Sequence, residues 1–96
     1  MSKKDLIMLK TRITGLFGVD HPVVQGGLQV VGVADLTAAV ANAGAMGFIT
    51  ALSFETPEDL RTEIHRCREM TDRPFGINIT LLPALKPPDY PGYLRV

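Results

Sequence analysis

The sequence predicts an α/β fold, a parallel βαβαβ segment, and three observations predict it. Short apolar runs bounded by Gly or Pro alternate with stretches of helical period. One helix start is written out in full as Thr56-Pro57-Glu58-Asp59. From Ile13 to Leu60 the chain carries no Lys or Arg, as expected of strands covered on both faces.

Taken in order, His21-Pro-Val-Val-Gln25 is a short apolar run closed by the pair Gly26-Gly27, which reads as a buried first strand. Val33 to Ala43 places Leu36, Ala39, Val40 and Ala43 at helical spacing, and Asn42-Ala43-Gly44 supplies a C-terminal stop with Gly44 in the left-handed region. Met46-Gly-Phe-Ile-Thr50 is the second strand, with Gly47 set for a close helix–strand contact. Thr56 then caps a helix with Pro57 at its first position and acids in its first turn. Leu60, Ile64 and Cys67 line the inner face of that helix to about Met70. Thr71-Asp-Arg-Pro74 breaks it, and Phe75 to Ile79 is the third strand. After Leu81-Leu-Pro83 comes the Pro-rich Lys86-Pro-Pro-Asp-Tyr-Pro91, so a further helix starts only near Pro91, and Gly92 to Val96 is its first turn.

Strands that alternate with helices of this length run parallel. The pattern stops inside its third βα unit with sheet edges unpaired, which reads as the opening part of a (β/α)8 barrel of about 250 residues or of a doubly wound sheet. A chain of 96 residues allows one domain at most.

Composition narrows the function. The chain is 46% apolar and 21% charged, and its ten basic residues balance ten acidic ones. There is then no field to hold nucleic acid or an acidic membrane surface. The uncharged run from Leu36 to Phe54 is long enough to span a bilayer, but Asn42, Gly44 and Gly47 interrupt it and its period changes midway. The lone Cys67 cannot form an internal disulfide, and the N-terminus lacks the cleavage site of a secretory signal. A reduced, cytoplasmic setting is expected.

The candidate site is Gln25-Gly26-Gly27-Leu28-Gln29, directly after the first strand. In parallel α/β folds ligands bind at the carboxyl ends of strands, and glycine there lets a flat or phosphorylated ligand approach the backbone. The spacing fits neither a phosphate loop nor a dinucleotide fingerprint. Asn78 and Thr80 end the third strand on the same rim, where polar groups serve a loop or a ligand. His65 lies among Arg61, Arg66 and Arg68 and reads as solvated; His21, ahead of Pro22, reads as structural; Cys67 reads as a buried small hydrophobe. No spacing suits a metal, and no residue stands out as a general base or nucleophile.

Four strings together resemble the nitronate monooxygenase family, formerly called 2-nitropropane dioxygenases, and within it the NADH:quinone reductase branch. They are Thr11 to Gly27, the helix end Ala38-Ala-Val-Ala-Asn-Ala-Gly44, the start Thr56-Pro-Glu-Asp-Leu60, and Thr71 to Pro83. The resemblance implies an FMN-binding (β/α)8 TIM barrel, of which residues 11–96 are the first three βα units and 1–10 an N-terminal extension. It implies flavin contacts from Gly27, Leu28 and Gln29 after strand one, and from Thr80 with its neighbour Asn78 after strand three. It further implies oxidation of alkyl nitronates, or NAD(P)H:quinone reduction, in the full enzyme. The histidine that acts as base in such monooxygenases falls downstream of this segment, so the segment alone is expected to be inactive and to bind FMN weakly if at all. Relatives commonly carry Met where Leu28 stands, Trp where Val30 stands and Gly where Ala45 stands, so flavin packing or substrate choice differs at the first two. Two other readings compete: a short module that oligomerises through its open sheet edges, and an FMN-dependent enoyl-thioester reductase.

Overall fold

The structure, a computed structural model, describes residues 9–81 and 87–96. Most of the expected N-terminal extension, and the start of the Pro-rich loop, lie outside the described residues.

The first element is one the sequence pattern does not announce. Helix α1, Arg12–Phe17, is capped by a reciprocal pair of threonines. The Thr14 amide donates to Thr11 Oγ1 (3.3 Å) and the Thr11 amide donates to Thr14 Oγ1 (2.8 Å). Gly18, at φ +70°, ends it. At six residues it is too short to show a sustained apolar period, Ile13 and Leu16 stay exposed, and the caps are what hold it.

The expected first strand is corrected. His21–Gln25 does not form a full strand; it makes one parallel bridge, Val24 to Met46. Its valines are not buried either, Val23 being 56% and Val24 48% exposed. Pro22 has no N–H to extend the ladder backward. Forward, the next rung is built by a side chain: the Phe48 amide donates to Gln25 Oε1 (3.1 Å) and Gln25 Nε2 donates to the Phe48 carbonyl (3.3 Å). A carboxamide thus does the pairing of a peptide group.

The remaining elements follow the expected order with shorter strands. Helix α2 is Ala34–Asn42 and strand β1 is Phe48–Thr50, followed by a 3₁₀ turn at Ala51–Ser53. Helix α3 is Pro57–Met70, its Thr56 hydroxyl accepting from the Asp59 amide at 3.1 Å. Strand β2 is Gly76–Asn78 and helix α4 is Tyr90–Arg95. α4 starts just ahead of Pro91, because Asp89 caps it and a proline in the first turn leaves no helical bond unmade. β1 and β2 pair in parallel with Phe48 opposite Gly76 and Thr50 opposite Asn78. The Val24 bridge extends that sheet on the far side of β1, so all pairing among the described residues is parallel. Among the described residues no helix is long and apolar enough to cross a membrane.

The core joins both helices to the sheet through Ala34, Ala38, Ile49, Ala51, Leu60, Ile64, Cys67 and Tyr93. Alanines on α2 let it lie close to β1, and each fully buried Ile49 or Leu60 side chain contributes about 1.5–3 kcal/mol. α2 lacks a side-chain cap of its own. Glu63 of α3 supplies one, its Oε2 accepting from the Ala34 amide at 2.9 Å, and Arg66 holds both Glu63 and Asp35. At the other end Asn42 bonds the Met70 carbonyl and the Thr71 hydroxyl. α2 is therefore clasped to α3 at both of its own ends.

Two predictions arise here. Thr37, fully buried on α2, has an Oγ1 with no hydrogen-bond partner. Thr37→Val keeps the shape and removes the buried hydroxyl, so it should stabilise by about 1 kcal/mol, read as a raised urea midpoint; a lowered midpoint would contradict this. The second concerns alkali. Burial pushes the Cys67 thiol above its ordinary 9.0, and burial likewise pushes the Tyr93 phenol above 10.0. Both groups are neutral when protonated, so the unfolded chain releases these protons first as pH rises. Their stabilising contribution is whole below the unfolded thiol value and is lost as pH climbs through the raised folded values. The urea midpoint should fall from about pH 9 upward, and Cys67→Ala should remove the first part of that fall.

Candidate functional site

Gly27, Gln29, Thr50, Leu52, Asn78 and Thr80 line a cleft of about 330 Å³. It sits at the carboxyl ends of the parallel strands: Gly27 follows the Val24 bridge, Thr50 ends β1 and Asn78 ends β2. Four of the five residues singled out from the sequence meet here. The fifth, Leu28, does not line the cleft; its side chain is half-exposed, and only its backbone is engaged.

That engagement reveals a residue the sequence reading missed. Thr50, buried at 4% exposure, receives the Leu28 amide on Oγ1 (3.0 Å) and donates the same hydroxyl to the Leu28 carbonyl (3.1 Å). Its own amide donates to Gly32 at 2.8 Å, and the Gly32 amide closes back on the Leu28 carbonyl at 2.7 Å. The Val30 amide donates to Ser53 Oγ (3.1 Å). These bonds hold the loop so firmly that Val30 keeps a φ of +71°, a conformation costly for a β-branched residue. The available signal was that Thr50, like Asn78, is a polar residue ending an apolar run.

Gly27 and Asn78 meet face to face. A Cβ on Gly27 would lie 2.5 Å from Asn78 Oδ1 and 2.6 Å from its Cγ, so the missing side chain is what lets the two loops touch. The cleft offers carboxamides from Gln29 and Asn78, a hydroxyl from Thr80, a flat backbone at Gly27 and an apolar patch from Leu52; among the described residues no charged side chain lines it.

A larger recess of about 680 Å³ lies at the other end of β2, beside Arg68, Asp72, Arg73 and Phe75. It is on the amino-terminal side of the sheet, away from the rim where barrels of this kind place their active sites, and Arg73 is already paired with Asp20 at 3.1 Å. His21, Cys67 and His65 lie apart from the cleft, the first partly buried, the second fully buried and the third exposed. Among the described residues no group of His, Cys, Asp or Glu could hold a metal ion.

Fold and cleft together define a parallel α/β segment with a cleft at its strand ends. The nitronate monooxygenase family model matches residues 10–93, and the chain belongs to that family. A (3aS,4S,5R,7aS)-5-hydroxy-7a-methyl-1-oxo-octahydro-1H-indene-4-carboxyl-CoA dehydrogenase of Mycobacterium tuberculosis is 42% identical over 74% of this chain and 20% of its own length. A probable nitronate monooxygenase of Staphylococcus saprophyticus is 39% identical over the same shares. Among solved structures, FabK from Thermotoga maritima superposes with a TM-score of 0.81 at 37% identity, covering 91% of this chain and 26% of FabK. Nitroalkane oxidase from Streptomyces ansochromogenes gives 0.60 at 38% identity, covering 78% and 21%. The matched stretch is thus about a fifth to a quarter of each relative.

Proposed function

We propose that residues 11–96 are the first three βα units of an FMN-binding (β/α)8 barrel, and that the cleft is part of the wall against which the flavin ring lies. The observation that carries this reading is the neutral, glycine-walled cleft at the strand ends. Its residues suit a flat, uncharged heterocycle: Gly27 leaves room for a ring over the backbone, Leu52 covers apolar surface, and Gln29, Asn78 and Thr80 offer donors and acceptors to ring edges. Barrels of this kind usually hold phosphate on later loops, so these residues are assigned to the ring of the cofactor. FMN, when bound, supplies the exchange of electrons with a small-molecule substrate. This chain's residues bind and orient the ring, and Thr50 and Gln25 keep the loop that carries Gly27 in place.

The full protein is then a flavin-dependent oxidoreductase of the cytoplasm, acting on alkyl nitronates or passing electrons from NAD(P)H to a quinone. A second reading, oxidation or reduction of a CoA thioester, is favoured by the name of the Mycobacterium relative. FMN titration of the full-length protein, followed by flavin fluorescence, tests the cofactor. Stoichiometric binding is expected, and Gly27→Val, which drives Asn78 from its place, should weaken it at least about tenfold. Failure of the wild type to bind FMN, or equal binding by the variant, would overturn the proposal. Assays with a nitronate, with NADH plus quinone, and with an acyl-CoA then separate the substrates.

A further inference from the structure

We propose that Tyr90 is a positioning residue for the cleft, acting from α4 through Thr80. The inference rests on the flavin-wall reading given above.

α4 carries two tyrosines one turn apart, and each donates its hydroxyl to a backbone carbonyl on a different strand-end segment. Tyr93 Oη reaches the Phe54 carbonyl at 2.6 Å, in the segment after β1. Tyr90 Oη reaches the Thr80 carbonyl at 3.1 Å, just past β2. Both segments contribute to the cleft, the first through Leu52 and the second through Thr80. One short helix therefore ties together two stretches of chain that have no ladder between them beyond Thr50 and Asn78.

The helix is itself held independently of the cleft. Tyr93 is 6% exposed and belongs to the core. Gly92 is buried where a Cβ would meet Pro57 Cγ at 3.0 Å, which seats α4 on the first turn of α3. Asp89 Oδ1 accepts from the Gly92 amide at 3.1 Å and closes the first turn. Tyr90 is thus an arm from a fixed point, and its hydroxyl sets where residue 80 stands relative to Gly27 and Asn78. The two tyrosines differ in kind: Tyr93 is mostly fold, whereas Tyr90 is half-buried and touches the rim.

Tyr90→Phe in the full-length protein removes one oxygen and leaves the ring. FMN affinity should fall about tenfold, the visible absorption of the bound flavin should shift, and the melting midpoint of the flavin-free protein should stay near wild type. Because Tyr90 acts through Thr80, its effect should shrink when Thr80→Ala is already present, so the two substitutions combine less than additively in FMN affinity. Additive losses, an unchanged affinity and spectrum in Tyr90→Phe, or a drop in flavin-free stability large enough to account for the whole affinity loss would each overturn the proposal. Wild-type protein that binds no FMN would instead remove the flavin-wall reading, and this inference with it.

Discussion

Gly47→Val is expected to destabilise the protein by about 3 kcal/mol or more, because the site has no room and the neighbour cannot yield. A Cβ at position 47 would lie 2.7 Å from the Thr37 carbonyl oxygen and 3.2 Å from the Thr37 Cα. These are backbone atoms in the middle of α2, with no rotamer to change. Relief requires α2 to move off β1, which opens the contact that buries Ala34, Ala38 and Ile49. Gly47→Ala should cost less than valine in the same direction, and urea unfolding of the two variants measures both. Losses under about 0.5 kcal/mol, the range of ordinary surface substitutions, would show that the helix does not rest on this glycine.

Gln25→Leu is expected to cost about 2 kcal/mol and to weaken FMN binding at the same time. The Gln25 carboxamide pairs with both the amide and the carbonyl of Phe48, and leucine leaves both without a partner on that side of β1. The site is only partly buried, so water recovers some of the loss. The effect on binding follows from the chain path: Gln25 is the anchor immediately before Gly26-Gly27, and Thr50 grips the loop only from Leu28 onward. With the first anchor gone, Gly27 is free to leave Asn78. A variant that unfolds earlier in urea yet binds FMN as the wild type does would separate the anchor from the site and contradict this prediction.

Much of the architecture was legible in the sequence. The Thr56-Pro57 start, the stripe Leu60, Ile64 and Cys67, the glycine stop after α2 and the parallel sense of the strands were readable because each follows from local chemistry repeated at a fixed spacing. Gly44 does take a positive φ, and Gly47 does meet the helix backbone. The meeting of Gly27, Gln29, Asn78 and Thr80 followed from one topological rule: residues after parallel strands share a rim.

What escaped was governed by pairs distant in sequence or by capping too brief to show a period. Helix α1 is held by Thr11 and Thr14, a pair without the usual acidic partner of a capping box. The first strand looked buried because it is apolar, but the burial of Val23 and Val24 depends on what packs over them, and among the described residues little does. Thr50 read as a strand end and Gln25 as the opening of the glycine string, and neither bond was legible because their partners, Leu28 and Phe48, are more than twenty residues away.

By itself, then, the sequence determined the order and parallel sense of the elements from α2 onward, their apolar faces and the rim on which the cleft lies. These depend on periodicity, capping and the chirality of the chain, which act over a few residues. Only the tertiary structure decided that a glutamine side chain completes the sheet edge, that one threonine hydroxyl holds the glycine loop, and that a tyrosine on the following helix reaches Thr80. Those depend on hydrogen bonds whose donors and acceptors come together only after the helices have packed, and no spacing within the sequence encodes such a distance.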